Sequence, residues 1–408
     1  TGGTGNDTIN FTTSGDLTKN DTVDAGAGTD TVAITSAADI SGADKATLTN
    51  VEKVKLLASN GIATFDAGGI ASLTQLELDA GTTDAAFTVN NLVDNATVKL
   101  NAEATTAAIT LDTAGTVLTI QLAGDTATTL TVSDAETVHV TGSSAATQDI
   151  SSATNATGIT LDDDVTKTLT LTGSTTDSAT ISTGNIASSN LLESVTATTT
   201  TSGATITVGT IADGDALTSL VANADYGNIT FGNIGGSGSA EGLATITVTA
   251  DNGATTTLGT TTADTTNSTT DLTTTLTATA SNASSTITLG TITNTYGIVT
   301  GTLSGSGQVD GTAINAEHID LTWSSGTAST IGTLSSSDDL VLASSGSADN
   351  TISTLTVADD ATITHTGTGK LTVSTITDGI GNLVIDGSGA TGAVVMATNN
   401  ATNTSHKI

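Results

Sequence analysis

The feature that most constrains the fold is a short strand-like repeat that recurs at similar intervals along the second half of the chain. A glycine-centred tetrapeptide carries it, with the glycines at Gly184, Gly209, Gly232, Gly259 and Gly290. A second strand-like segment lies between copies, at 220–225, 246–251 and 276–281. Later, the segments 331–334, 352–355 and 373–376 recur at equal steps. An isolated repeat of this kind cannot bury its apolar face, but stacked repeats can, so the period predicts a solenoid.

Alternation of apolar and polar residues predicts the strands themselves. Segments 108–111, 118–122, 129–132 and 137–140 show this period of two, which is typical of half-buried strands. Turns rich in Gly, Asp, Asn and Ser separate them. No stretch has a convincing helical pattern, and residues 43–60 are the best candidate for a short helix or turn.

The composition favours a thin all-β coil. Aromatic residues make up only 2% of the chain, while Thr, Ala, Ser and Gly dominate, and β-branched Thr and Val favour strands. Two alternatives are a row of Thr-rich β-sandwiches of about 100 residues each and disorder. The regular apolar spacing argues against disorder, and no shift in composition marks sandwich boundaries. We therefore predict an elongated right-handed parallel β-solenoid (β-helix).

The charge excludes several classes of partner. The chain has 41 acidic residues, eight lysines and no arginine, for a net charge of −33. Nucleic-acid binding and attraction to anionic membranes both need basic clusters, so neither is expected. No run of about 18 apolar residues predicts membrane insertion, and without cysteine there is no disulfide framework. Because the chain begins with Thr1 and shows no signal-peptide pattern, we expect a processed chain or a fragment.

Residues 2–10 form a complete G-G-x-G-x-D-x-U-x nonapeptide, the repeat that binds calcium in parallel β-rolls. A partial copy follows at 25–33, with Ala25 at the first glycine position. Glycine carbonyls and Asp carboxylates supply the oxygen ligands that suit Ca²⁺. The predicted cofactor is therefore calcium, although two glycine turns flanking strands would explain the same pattern. The candidate ligands are Gly3, Gly5, Asn6, Asp7, Asp21, Asp24, Gly26, Gly28 and Asp30.

The order of segments 1–8, 20–32 and 48–54 resembles repeats-in-toxin (RTX) type surface-layer proteins and large type I-secreted surface proteins of Gram-negative bacteria. This resemblance covers about a quarter of the chain. It implies an N-terminal calcium-binding β-roll segment, type I secretion, calcium-dependent folding outside the cell and assembly on the cell surface. It also makes Asp7 and Asp30 the leading ligands.

We accordingly predict an RTX-like segment at 1–34, a first solenoid part at 35–140, a repetitive solenoid at 141–396 and a polar tail at 397–408. The predicted function is that of an extracellular, non-enzymatic structural protein. It would form a homo-oligomeric surface layer, sheath or filament, with cell-surface polysaccharide as a further possible partner. The alternative is the repeat region of a large adhesin or biofilm-matrix protein.

Weaker candidate sites remain. Acidic turns at 162–164, 213–215, 338–339 and 359–360 could bind calcium weakly or bridge molecules, but such turns are more often simply solvated. Paired carboxylates also serve in polysaccharide-cleaving enzymes, yet arginine is missing and the aromatics are scattered. Thr-x-Thr arrays at 168–172 and 245–249 could match ice or a crystalline glycan, although Thr is also an ordinary outward strand residue.

Overall fold

The computed structural model consists of strands, turns and loops, without a helix in the part of the chain it describes. The described residues are 1–13, 15–35, 40, 45–57, 63–79, 85–101, 104–113, 116–123, 129–142, 147–149, 157–161, 165–173, 180–187, 191–211, 216–235, 242–263, 272–378, 381–399 and 406–407. Contacts divide the chain into two compact units. Unit 1 is Thr1–Leu192 with Ala204–Gly209, and unit 2 is Glu193–Gly203 with Thr210–Ile408.

Unit 1 is a parallel β-solenoid, with strands numbered in chain order. Its longest sheet stacks β1 (Thr8–Phe11), β3 (Thr31–Thr35), β5 (Lys53–Leu57), β7 (Gln75–Asp79), β9 (Thr97–Leu100), β11 (Thr116–Leu122), β13 (Ala135–Gly142) and β16 (Thr168–Thr172). A second sheet stacks β6 (Ala63–Asp66), β8 (Ala85–Leu92), β10 (Ala104–Leu111), β12 (Thr129–Ser133), β15 (Thr157–Thr160) and β18 (Asn185–Ala187). Further pairings join β2 (Thr22–Asp24) to β4 (Thr47–Thr49), and join β14 (Thr147–Asp149), β17 (Thr180–Ser182) and β20 (Thr205–Val208).

Unit 2 is also a parallel β-solenoid. One sheet stacks β19 (Ser194–Thr199), β21 (Ser219–Asp225), β23 (Thr245–Asp251), β26 (Thr273–Ala280), the ends of β27 (Thr286–Gly305) and β28 (Gln308–Ser325), β30 (Leu340–Gly346), β32 (Ala361–His365), β34 (Leu383–Asp386) and β36 (His406–Lys407). The opposite side stacks β22 (Asn228–Phe231), β24 (Thr255–Leu258), β25 (Thr261–Thr262), the starts of β27 and β28, β29 (Ser329–Ser336), β31 (Asn350–Val357), β33 (Leu371–Asp378) and β35 (Val394–Asn399).

The core of each unit consists of columns of aliphatic side chains. One column of unit 1 runs through Val54, Leu76, Val98, Ile120 and Val140, and each of these is at most 1% exposed. Corresponding columns in unit 2 contain Leu321, Leu342 and Ile363. Since every coil contributes one side chain to each column, the core stays thin and needs few aromatic residues. The predicted all-β parallel solenoid is confirmed.

The glycine repeat marks corners where successive coils approach closely. A Cβ atom on Gly209 would lie 2.3 Å from the Gly184 carbonyl oxygen within unit 1. Within unit 2, a Cβ atom on Gly259 would lie 2.5 Å from the carbonyl oxygen of Gly232, and Gly290 meets Gly259 in the same way. No side chain fits at these positions, which explains why the period was visible in the sequence.

The segment 43–60, the best candidate in the sequence for a short helix or turn, contains no helix in the residues that are described there. Residues 45–57 contain β4 and β5 instead. Val54 and Leu56 point inward while Lys53 and Lys55 point outward, a period of two that pairs with β3 and β7. Across the described residues, no helix is long and apolar enough to span a membrane.

Candidate metal centre

The two nonapeptides lie in successive coils of unit 1. The register of β1 and β3 places Thr8 beside Thr31 and Ile9 beside Val32. The glycine turns of the two motifs, which precede these strands, therefore stack on each other in neighbouring coils. The N–H of Ala27 donates to the Gly3 carbonyl, at 3.0 Å, and links the two glycine turns directly.

Glycine is required in the second turn for two reasons. Gly26 has φ 95°, in the left-handed region that favours glycine. A Cβ atom there would also lie 2.3 Å from the Gly3 carbonyl oxygen, and a Cβ atom on Gly28 would lie 2.4 Å from that of Gly5. The predicted ligands Gly3, Gly5, Gly26 and Gly28 therefore form two stacked pairs whose backbones touch.

Acidic residues occupy the same position in three successive coils, just before β1, β3 and β5. This carboxylate column consists of Asp7, Asp30 and Glu52. The backbone N–H of each of the first two donates to the carboxylate of the next coil. The N–H of Asp7 donates to Asp30 Oδ1 at 2.7 Å, and the N–H of Asp30 donates to Glu52 Oε2 at 2.8 Å. The side chain of Asp7 turns back to accept the N–H of Gly3 at 2.7 Å.

Asp30, in the middle of the column, is only 1% exposed. Its Oδ1 accepts one hydrogen bond, but its buried Oδ2 has no hydrogen-bond partner among the described residues. A buried carboxylate oxygen without a donor is costly in free energy. A hard cation that takes oxygen ligands would satisfy this oxygen, although Asp7, Asp30 and Glu52 do not bring one carboxylate oxygen each within 4.8 Å of the others.

The other predicted ligands are placed as follows. The Asn6 side-chain oxygen accepts the N–H of Thr29 at 2.8 Å, so Asn6 joins the same pair of coils. Asp24 Oδ1 accepts the N–H of Gly26 at 3.2 Å and Asn50 Nδ2 at 2.8 Å. Asp21 lies apart, where its Oδ2 accepts the N–H and hydroxyl of Thr18. Glu52 was not predicted from the sequence, where its only signal is a position one coil after Asp30.

A second acidic group lies in unit 2. His318, Asp338 and Asp339 place one ligand atom each within 4.8 Å of the others, and they are the only three such side chains that converge in the described residues. These residues belong to successive coils, because Ile319 pairs with Leu340. Asp338 and Asp339 were predicted from the sequence, whereas His318 was not. The acidic turns at 162–164 and 213–215 lie outside the described residues.

Asp359 and Asp360 of the following coil extend this group, and we call Asp338, Asp339, Asp359 and Asp360 the acidic corner. The N–H of Asp359 donates to the Asp338 carbonyl at 3.2 Å, and that of Asp360 donates to Asp339 Oδ1 at 3.1 Å. Partial loss of hydration and the charges of Asp360, Asp339 and Asp338 raise the pKa of Asp359 above its ordinary value of 3.8. Unlike Asp30, these side chains are mostly exposed, so water can solvate them.

The chain was also compared with known proteins. No family model, no curated protein and no solved structure matches it. The candidate metal centre is therefore defined by the residues of this chain alone.

Proposed function

We propose that this protein is an extracellular structural protein that self-assembles into a calcium-stabilised surface layer, sheath or filament. One observation carries the proposal: the Asp30 carboxylate is buried between Asp7 and Glu52 with one oxygen lacking a donor among the described residues. The resemblance of the segments 1–8, 20–32 and 48–54 to RTX-type surface-layer proteins supports the same interpretation.

Stacking explains why the carboxylate column would take up a cation. Neighbouring coils of a parallel sheet lie about 4.8 Å apart, so the three acids concentrate negative charge at the first corner of unit 1. Calcium would supply positive charge and accept oxygen ligands from Asp7, Asp30, Asn6 and the carbonyls of the paired glycines. Since the unfolded chain holds no such arrangement, binding would stabilise the folded N-terminal coils by mass action.

The surface charge connects calcium to assembly. With a net charge of −33, copies of the chain repel one another. Calcium bound between exposed acidic turns of two molecules, for example at the acidic corner, would relieve that repulsion. Magnesium should do this poorly, because it gives up its own water ligands reluctantly. A solenoid supports such a role, since its repeated coils present the same groups at regular intervals.

Calcium binding can be tested at Asp30 with an isosteric substitution. We expect Asp30→Asn to lower the measured calcium affinity at least about tenfold, corresponding to roughly 1.4 kcal/mol, because the buried negative charge is lost. Asp16→Asn is the matched control: Asp16 lies in the same segment and is exposed, and among the described residues its side chain accepts only the N–H of Thr13. Isothermal titration calorimetry measures both. Equal calcium affinities for wild type, Asp30→Asn and Asp16→Asn would show that calcium does not bind at the carboxylate column.

The oligomeric state separates the proposed function from its alternative. Ordered sheets or filaments in calcium support a surface layer. A monomer that binds glycans or cells under the same conditions would favour an adhesin repeat instead.

A further inference from the structure

Three successive coils of unit 2 carry a regular array of outward-facing hydroxyl side chains. On β23, β26 and the end of β27, every second residue is Thr or Ser. We call these nine residues the Thr grid: Thr245, Thr247, Thr249, Thr275, Thr277, Thr279, Thr300, Thr302 and Ser304. The strand register places them in three columns of three.

The grid is held rigidly from beneath. The residues that alternate with it point into the core, and Ile246, Val248, Leu276 and Ala278 are fully buried. The pairing between these strands runs without a bulge. Hydrogen bonds between coils therefore fix one repeat at about 4.8 Å, and two residues along a strand fix the other at about 6.6 Å.

The grid is also free of charge on a strongly acidic molecule. All nine side chains are neutral, although the chain carries 41 acidic residues. The pattern ends in the next coil, where Asp320 pairs with Thr300, and in the preceding coil, where Val221 pairs with Thr247. Thr275, Thr277, Thr300 and Thr302 line a shallow open trough along this face, and Asp320 of the next coil lies at the border of that trough.

Many of these hydroxyl groups are available to an external ligand. In the third column, Thr249 bonds to Asn223 at 2.6 Å and Thr279 bonds to Ser304 at 3.2 Å. By contrast, the hydroxyls of Thr275, Thr277, Thr300 and Thr302 make no hydrogen bond to any described residue. A hydroxyl group offers one donor and two acceptor sites, so it can take the place of a water molecule in a hydrogen-bonded network.

We propose that the Thr grid is a binding site for the ordered water of an ice crystal face. A rigid lattice of neutral hydroxyls can be continued by water in regular positions, whereas a charge would orient its own hydration shell. The Thr methyl groups meanwhile exclude loosely held water. This activity goes beyond structural assembly and does not depend on calcium.

Two other occupants fit the grid less well. Sugar rings usually stack on aromatic side chains, and none of the nine positions is aromatic. A second copy of the chain would bury on the order of 300 Å² here, well below the roughly 800 Å² per partner of a stable protein interface. An ice face needs neither aromatic groups nor a large contact with another protein.

The test is incorporation into slowly growing ice, measured as the protein concentration in the ice relative to that in the liquid. We expect enrichment of the wild-type protein in the ice. Thr302→Glu should abolish the enrichment, because it places a charge at an exposed grid position. Thr277→Val, which removes a hydroxyl and keeps the branched shape, should reduce it. The matched control is Thr362→Glu, on the same sheet but outside the grid and also exposed, and it should retain full enrichment.

Circular dichroism checks that each variant is folded. Exclusion of the wild-type protein from ice would overturn the proposal, as would equal losses in Thr302→Glu and Thr362→Glu. Retention on crystalline cellulose or chitin without enrichment in ice would also overturn it and indicate a glycan site.

Discussion

One stack of charged side chains in unit 1 alternates in sign from coil to coil, whereas one stack in unit 2 repeats the same sign. In unit 1, Lys55, Glu77 and Lys99 occupy one position of three successive coils. Lys55 Nζ lies 2.9 Å from Glu77 Oε1, and Lys99 Nζ lies 3.8 Å from Glu77 Oε2. In the acidic corner of unit 2, by contrast, aspartate follows aspartate from one coil to the next.

The pKa values shift in opposite directions as a result. Burial raises the pKa of Glu77, but the hydrogen bond from Lys55 and the charges of Lys99 and Lys55 outweigh it, so the pKa lies below its ordinary value of 4.5. Hydrogen bonds to Glu77 and Asp79 likewise raise the pKa of Lys55. The pKa of Asp359 is instead raised, by partial loss of hydration and by its acidic neighbours.

The difference follows from the geometry of a parallel solenoid, which places equivalent positions of successive coils side by side. Each position recurs about every 4.8 Å, so alternating signs stabilise the stack while like signs destabilise it. The stack of Lys55, Glu77 and Lys99 supplies its own opposite charges, whereas the acidic corner needs water or external cations. The carboxylate column is the third case, because its middle acid is buried away from water.

The largest expected effect comes from the core, where the two units should not differ. Leu78→Ala in unit 1 and Leu342→Ala in unit 2 each remove a fully buried side chain from an aliphatic column. Both should cost about 2–5 kcal/mol of local stability. Hydrogen exchange resolved by peptide measures each unit separately. A loss in only one of the units would show that their cores differ as well as their charges.

Removing a lysine should have a smaller effect, and one confined to unit 1. Lys55→Met leaves both Glu77 and Asp79 without their 2.9 Å partner and should cost about 1 kcal/mol, since Lys55 is 36% exposed and partly screened. The control is Lys370→Met in unit 2, where the ion pair with Asp349 is 3.7 Å long and more exposed. That change should cost close to nothing in the same exchange experiment. Equal costs would contradict the contrast between the units.

Acidification should change the local stability of the two units in opposite directions. Because the pKa of Asp359 is raised in the folded protein, protonation of Asp359 favours the fold. This stabilisation is complete below pH 3.8 and is lost as the pH rises through the raised pKa. The pKa values of Asp66 and Glu77 are lowered, so their ionised carboxylates favour the fold. This stabilisation is present above pH 3.8 for Asp66 and above pH 4.5 for Glu77, and it is lost as the pH falls through the lowered pKa values. On acidification, the region around Asp359 should therefore become more protected from exchange before the region around Glu77 loses protection. The reverse order would contradict these assignments.

The smallest effect is expected at the acidic corner itself. Asp359→Asn removes one of four neighbouring negative charges and should slightly raise the denaturant midpoint of unit 2. Trp323, the only tryptophan and fully buried in unit 2, reports that transition by fluorescence. Asp386→Asn, elsewhere in unit 2, is a control with the same change in net charge. A lower midpoint for Asp359→Asn than for the control would mean that the carboxylate is stabilising.

The fold was predictable from the sequence because each coil of the solenoid repeats the same pattern of alternating strand residues and corner glycines. Alternating segments such as 118–122 became strands, and the glycine period marked the corners where coils touch. The segment 43–60 contains the short strands β4 and β5, and the pairing of β5 with β3 and β7, which is not visible in the sequence, fixes it as a strand.

Contacts between coils were harder to predict, because coil lengths vary and the register is invisible in one sequence. Thr275 pairs with Thr245 in the preceding coil and with Thr300 in the next, and these two coils differ in length. The sequence alone therefore does not reveal that the residues of the Thr grid form columns in register. For the same reason His318 was not associated with Asp338. In the candidate metal centre, Asp7 and Asp30 were identified from their motif, but Glu52 belongs to a coil without one.

Imaging of the purified protein by electron microscopy tests the central claim most directly. The sample is compared in excess chelator, in millimolar calcium and in equal magnesium. We expect ordered assemblies in calcium, dispersed particles in chelator, recovery on returning calcium and no recovery with magnesium. On the proposed function, calcium would offset part of the charge of −33 and supply a partner for the buried oxygen of Asp30. Assemblies that persist unchanged in excess chelator would contradict the account.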